Sequence, residues 1–286
     1  MRLNKLDKLI GNTPLIQLGP KLYAKLETYN PSGSIKDRMA SYILQKAIER
    51  GELQGKNTIV VASSGNTGIA FAMLAAAHGF KALILMPCNM SEERKQMMRA
   101  FGAQVVEVGP SAFKEAISLR DKMLEENPTY WSPKQFSNPD NIECHFRTTA
   151  VEIARSVLDM PARLSAIVSG AGTGGTIMGC QRYLPRLWKE TKILMTTPAE
   201  DAASHGIQGI NDGADFLVNK ALIDEEIIVS TKDAKQRAHL LASQHGLLVG
   251  ISSGANVLAA ERWIADNDPE GVVITFLCDR GERYLS

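Results

Sequence analysis

The sequence has 286 residues, of which 44% are hydrophobic and 22% charged, and its 32 basic against 31 acidic side chains leave a formal charge of +1. That length buries a sizeable core in one large or two modest domains, and the composition excludes a disordered chain, a collagen and a small disulfide scaffold. The near-zero charge argues against a polycation that binds nucleic acid or a membrane surface as a whole.

Met1 to Gly11 mixes Lys, Asp and Asn with no apolar core and does not read as a signal peptide. Asn30-Pro31-Ser32-Gly33-Ser34-Ile35-Lys36-Asp37-Arg38 is turn chemistry followed by a helix start. Lys36 then falls in the first helical turn, where the helix dipole disfavours a cation. It is either a solvated surface lysine or an amine that is desolvated or covalently occupied, a nucleophile or Schiff-base former.

A strand is expected at Thr58–Val61, followed by the turn Ser63-Ser64-Gly65-Asn66-Thr67-Gly68. Short polar side chains beside backbone donors suit a carboxylate or phosphate, and equally suit a helix cap. Gly68 to Pro87 reads as an Ala-rich helix, a glycine turn and a buried strand at Ala82–Met86, because His78-Gly79 and Lys81 interrupt any membrane span. Helical segments at Ser91–Phe101 and Ala112–Glu126 flank a strand at Gln104–Val108. The Asn/Pro-rich stretch Ser132–Asn141 is a crossover between lobes.

A strand at Ala166–Ser169 runs into Gly170-Ala171-Gly172-Thr173-Gly174-Gly175-Thr176. Amides at a helix N-terminus cradle phosphate, and glycines let the backbone approach the anion. The same glycines would also serve tight helix–strand packing alone. Gly170, Gly172 and Gly175 match a dinucleotide fingerprint, but the next strand, Lys192–Thr196, ends on Thr196-Thr197 without the acidic residue that would hold a ribose. A dinucleotide oxidoreductase is therefore demoted. Glu226–Ser230 is a strand, Lys232–Gly246 a helix, Gly250–Gly254 a third polar turn before a helix, and Val272–Phe276 the last strand.

Strands alternating with helices imply βαβ units, and strands of nearly continuous apolar character imply parallel sheets covered on both faces. Ligands bind at strand carboxyl ends in such sheets, so two glycine-rich mouths suggest two lobes facing one cleft. Cys88, Cys144, Cys180 and Cys278 show no paired spacing and adjoin no His cluster. No metal site or disulfide framework is expected, and scattered thiols fit the cytoplasm.

Seven segments occur in an order that carries a resemblance. They are Ile10–Leu15, Asn30–Arg38 around Lys36, Ser63–Ala70, Gln135–Asp140, Gly172–Thr176, Gly250–Ala255 and Cys278–Ser286. The chain resembles the pyridoxal-phosphate-dependent cysteine synthase and cystathionine β-synthase family, and is most similar to its cysteine synthase B branch. The resemblance implies an α/β fold of type II, like the tryptophan synthase β subunit, whose two lobes each hold a twisted, mostly parallel sheet flanked by helices. It implies a smaller mobile lobe at 35–140 with 1–12, holding a substrate-carboxylate loop, and a larger cofactor-binding lobe at 13–34 and 141–286.

By the same resemblance, Lys36 forms the Schiff base with pyridoxal 5'-phosphate and acts as the base. Gly172, Thr173, Gly174, Gly175 and Thr176 hold the cofactor phosphate, Asn66 its phenolic oxygen, and Ser252 its pyridine nitrogen. A neutral hydroxyl at that nitrogen makes a weaker electron sink than a carboxylate would, which suits β-replacement. Ser63, Ser64, Thr67, Gln135 and Gly209 bind the substrate. The implied reaction converts O-acetyl-L-serine and sulfide to L-cysteine through an α-aminoacrylate, with thiosulfate giving S-sulfocysteine. The implied partners are small molecules, a second copy in a homodimer, and the C-terminal peptide of a serine acetyltransferase, with no nucleic acid and no membrane. Other readings stay open: a cystathionine or 2,3-diaminopropionate synthase, an O-phosphoserine-using enzyme, a dehydratase, or a non-catalytic peptide-binding paralogue. The chain departs from the B branch at Gln208-Gly209-Ile210, where that branch carries arginines suited to dianionic thiosulfate, and Ser63 stands in place of the usual threonine.

Overall fold

The computed structural model describes residues 5–110, 112–201, 205–210 and 217–285. In chain order its elements are β1 (Leu15–Gln17), β2 (Leu22–Leu26), α1 (Lys36–Glu49), β3 (Thr58–Ala62), α2 (Asn66–His78), β4 (Lys81–Pro87), α3 (Glu92–Ala100), β5 (Gln104–Val108), α4 (Phe113–Glu126), β6 (Tyr130–Trp131), α5 (Asp140–Arg147), α6 (Thr149–Leu158), β7 (Leu164–Gly170), α7 (Gly175–Tyr183), β8 (Lys192–Pro198), β9 (Glu225–Val229), α8 (Thr231–His245), α9 (Ile251–Asn267) and β10 (Val272–Leu277). They form two compact units. One combines Met1–Ile10 with Asn30–Asp140, the other Gly11–Tyr29 with Asn141–Leu285.

The first unit is built on a four-stranded sheet of order β5-β4-β3-β6, parallel throughout. Every residue of β3 is buried, and all of β4 except Lys81. Apolar runs of that kind form a parallel strand covered on both faces. Helix α2 is buried almost all round, which is why its sequence is apolar without a polar stripe. A Cβ on Gly68 would come within 2.7 Å of Met98 Cε and 2.9 Å of Ile84 Cγ2, so α2 is seated closely on α3 and β4. The N-terminal turn is tied down by Asp7, whose Oδ2 lies 3.0 Å from His78 Nε2 and whose Oδ1 accepts the Ser41 hydroxyl at 3.2 Å. No described helix is long and apolar enough to cross a membrane.

The second unit holds a six-stranded sheet of order β1-β2-β10-β7-β8-β9. Its pairs are parallel except β1 with β2, which is antiparallel. Sequence periodicity finds neither of these two strands. The reason lies in Lys25, which interrupts the apolar run yet is 1% exposed. Its ammonium donates to Thr13 O at 2.7 Å and pairs with Glu152 Oε2 at 2.7 Å, linking β2 to α6. A buried charge survives only with such partners, and they are far away in sequence. Elsewhere the expected strands hold to within two residues at each end, the ordinary margin of element boundaries. Ser132–Asn141 does span the passage from the first unit to the second.

Candidate active site

In the first unit Lys36 is the first residue of α1 and is half-buried. The turn before it is fixed by Asp37, a buried carboxylate that accepts the Ser32 amide at 2.6 Å and also the Ser32 hydroxyl. Gly33 has φ +85°, a conformation open to glycine at little cost. Asp37 also places a negative charge at the positive end of the helix, which offsets part of the dipole's opposition to a lysine there.

Ser63–Gly68 joins β3 to α2. Ser63 Oγ accepts the amides of Gly65 at 3.1 Å and Gly68 at 3.0 Å. The Ser63 hydroxyl thus frames the loop and keeps its own proton to donate. The Thr67 hydroxyl donates to Gln135 Oε1 at 2.7 Å, and Gln135 Nε2 donates to Ala62 O at 3.3 Å. Gln135, from the Asn/Pro-rich crossover, therefore meets the loop it was grouped with from sequence. Ser64 and Asn66 are half-buried on the same turn. Beneath the loop lies Arg94 of α3, 3% exposed, whose Nη1 donates to Ser64 O at 3.5 Å.

In the second unit Gly170–Thr176 joins β7 to α7. A Cβ on Gly172 would lie 2.5 Å from Gly209 O, and one on Gly175 would lie 1.9 Å from Asn141 Oδ1. Gly174 has φ +89°. The loop is glycine-rich because its own surroundings leave no room for side chains, and its last turn opens the N-terminus of α7. Gly209, at φ +86°, is brought against Gly172. Thr173 Oγ1 accepts from Asn141 Nδ2 at 2.9 Å and from the Gly175 amide at 3.4 Å. The buried His145 bridges Thr149 Oγ1 at 2.9 Å and Thr176 Oγ1 at 3.3 Å. Ser252 is buried in the first turn of α9, and its neighbour Ser253 accepts the Cys278 amide at 2.9 Å.

Helix α7 is clamped to α5 by Glu143, which accepts from Arg147 Nε at 2.5 Å and Arg182 Nη1 at 2.6 Å. Burial alone would raise this carboxyl, but the two arginine hydrogen bonds outweigh it and hold the carboxyl below the ordinary carboxylate value. Among the described residues no cluster of His, Cys, Asp and Glu could hold a metal ion. A cavity of about 390 Å³ opens at the other ends of the second unit's strands, where Leu164 begins β7 and Lys192 begins β8.

Sequence reasoning did not single out Asn141, His145, Asn256 or Arg94. Asn256 alone left a trace, as a polar residue inside the otherwise small and apolar Gly254–Ala260 stretch of a helix. The others sit in helices whose polar residues read as solvated faces.

A phosphate group fits the second unit's loop. The backbone is packed too closely to carry Cβ atoms, a helix N-terminus faces the turn, and Thr173 and Thr176 supply hydroxyls. Comparison with known proteins gives the family. A family model for pyridoxal-phosphate dependent enzymes matches residues 6–279. Cysteine synthase B of Campylobacter jejuni is 42% identical over 99% of this chain and 97% of its own. Among solved structures, O-ureido-L-serine synthase superposes with a TM-score of 0.91 at 34% identity, covering 100% of this chain and 94% of that one. An O-acetylserine dependent cystathionine beta-synthase from Helicobacter pylori gives 0.89 at 33% identity, covering 100% and 98%. The chain belongs to the pyridoxal-phosphate dependent enzymes and, within them, to the cysteine synthase family. Its fold is the two-sheet α/β fold of type II, and its cofactor is pyridoxal phosphate.

Proposed function

We propose that the protein is an O-acetylserine sulfhydrylase, replacing the acetoxy group of O-acetyl-L-serine with sulfide to give L-cysteine. The observation that carries this reading is the tightly packed Gly172–Thr176 loop, in a chain whose near-full-length relatives are cysteine synthases. When bound, pyridoxal phosphate supplies the electron sink for negative charge at the substrate α-carbon. Gly172, Thr173, Gly174, Gly175 and Thr176 hold its phosphate. Ser252 offers a neutral hydroxyl to the ring nitrogen, and Asn66 orients the ring. Lys36 Nζ anchors the cofactor, then takes the proton from the substrate α-carbon and returns it after sulfur has added. Ser63, Ser64, Thr67 and Gln135 hold the α-carboxylate, and Gly209 closes over the substrate.

The unit at 30–140 carries the carboxylate loop and the other unit the cofactor loop. We assign the protein to the cytoplasm as a homodimer, with a serine acetyltransferase C-terminal peptide as partner. The similarity to O-ureidoserine and cystathionine synthases supports a second reading, the same replacement with another nucleophile.

Product analysis decides between them. The purified yellow enzyme is given O-acetylserine with sulfide, thiosulfate, homocysteine or ammonia in turn. The expected result is fastest turnover with sulfide. Faster turnover with homocysteine would install the second reading, and no product above the uncatalysed background with any acceptor would end both.

A further inference from the structure

The Ser64–Gly65 peptide is held at both ends. Its N–H donates to Ser63 Oγ at 3.1 Å, and its carbonyl accepts Arg94 Nη1 at 3.5 Å. A Cβ on Gly65 would lie 3.1 Å from Arg94 Cδ and 3.2 Å from its Nε, so the guanidinium rests directly under the loop. Closeness to Arg94 leaves a side chain at position 65 little room. Arg94 is 3% exposed and lies in the first turn of α3, where burial and the helix dipole both oppose a cation.

We infer that Arg94 is a positioning residue for the substrate: its charge, set behind Ser63–Thr67, makes that loop prefer an α-carboxylate to a neutral group. The inference rests on the proposed carboxylate-binding role of the loop. A charge in a poorly solvated place acts through the loop without touching the ligand, and at such range its effect on an anion is on the order of tenfold in affinity.

The test compares L-serine with L-serinamide, titrated into the holoenzyme and followed by the cofactor's visible spectrum. Arg94→Gln is expected to weaken L-serine on the order of tenfold more than L-serinamide. Arg94→Lys, which keeps the charge, restores most of the preference, and with O-acetylserine KM rises more than kcat falls in the Gln variant. Equal weakening of both probes, or an unchanged preference, overturns the inference. If the Gln variant loses its cofactor, Arg94→Lys decides: a Lys variant that still prefers L-serine supports the charge, and one without preference refutes it. A wild type that binds L-serinamide as tightly as L-serine overturns the carboxylate role of the loop, and this inference with it.

Discussion

Asn256 Oδ1 accepts the amide of Gly170 at 2.7 Å, while its Nδ2 donates to Phe276 O at 3.2 Å and reaches Cys278 Sγ at 3.4 Å. One side chain of α9, 1% exposed, thereby joins the end of β7 to the end of β10. Gly170 begins the glycine-rich 170–176 loop, and Ser252 stands one helical turn before Asn256. The spacing between these two places is set in part by a buried amide.

Asn256→Ala leaves the Gly170 amide without its acceptor. Losing buried partners of this kind costs about 1–3 kcal/mol. The melting temperature falls by roughly 2–8 °C, and the variant gives up pyridoxal phosphate faster on dialysis against cofactor-free buffer. Unchanged melting and unchanged retention would show that Asn256 only fills space.

Gly175→Ala drives a Cβ to 1.9 Å from Asn141 Oδ1. Overpacking costs about 1–3 kcal/mol or more when backbone must move, and here the backbone that moves is the 170–176 loop proposed to hold the cofactor phosphate. The purified variant is expected colourless, with far weaker cofactor binding. Adding Asn141→Ala makes room and recovers part of the visible absorption. If Gly175→Ala alone is as yellow as the wild type, the loop is not held as described.

Lys36→Ala removes the amine at the start of α1. The visible band of the bound cofactor is lost or shifted, and turnover falls by at least about 10³-fold. Folding survives, because alanine in a first helical turn is better tolerated than a cation. Circular dichroism and absorbance on the same sample separate the two effects.

Glu143 gives a pH signature. Its carboxyl is held below the ordinary value in the folded protein, so the unfolded chain binds the proton more readily. Stability from this clamp is then fully present above the ordinary carboxylate pKa and is lost as pH falls through the lower folded value. Both arginines are well exposed, so the gain is small, roughly 0.5–1 kcal/mol. Thermal melts of wild type and Glu143→Gln should differ at neutral pH and converge in acid. A difference that grows in acid would contradict the assignment.

The local features were legible in the sequence because each follows from neighbours a few residues apart. Largely apolar runs of four or five residues gave the parallel strands from β3 onward, β6 excepted. The glycine turns marked both loops, and turn chemistry before Lys36 placed it at a helix start. Strand β2 was hidden, because Lys25 reads as a surface residue until Glu152 and the Thr13 carbonyl are brought to it. Strand β6, two residues long, carries too little pattern to be seen at all.

The length, apolar content and near-neutral charge bounded the chain to one large or two modest domains, and the ordered motifs pointed to its family. Only the tertiary structure decided what surrounds those turns. Asn141 and His145 behind the 170–176 loop, Asn256 between two strand ends and Arg94 under the 63–68 loop all act across sequence separations of 30 residues or more. A side chain's partner at that distance is chosen by packing, and packing leaves no periodicity in the sequence.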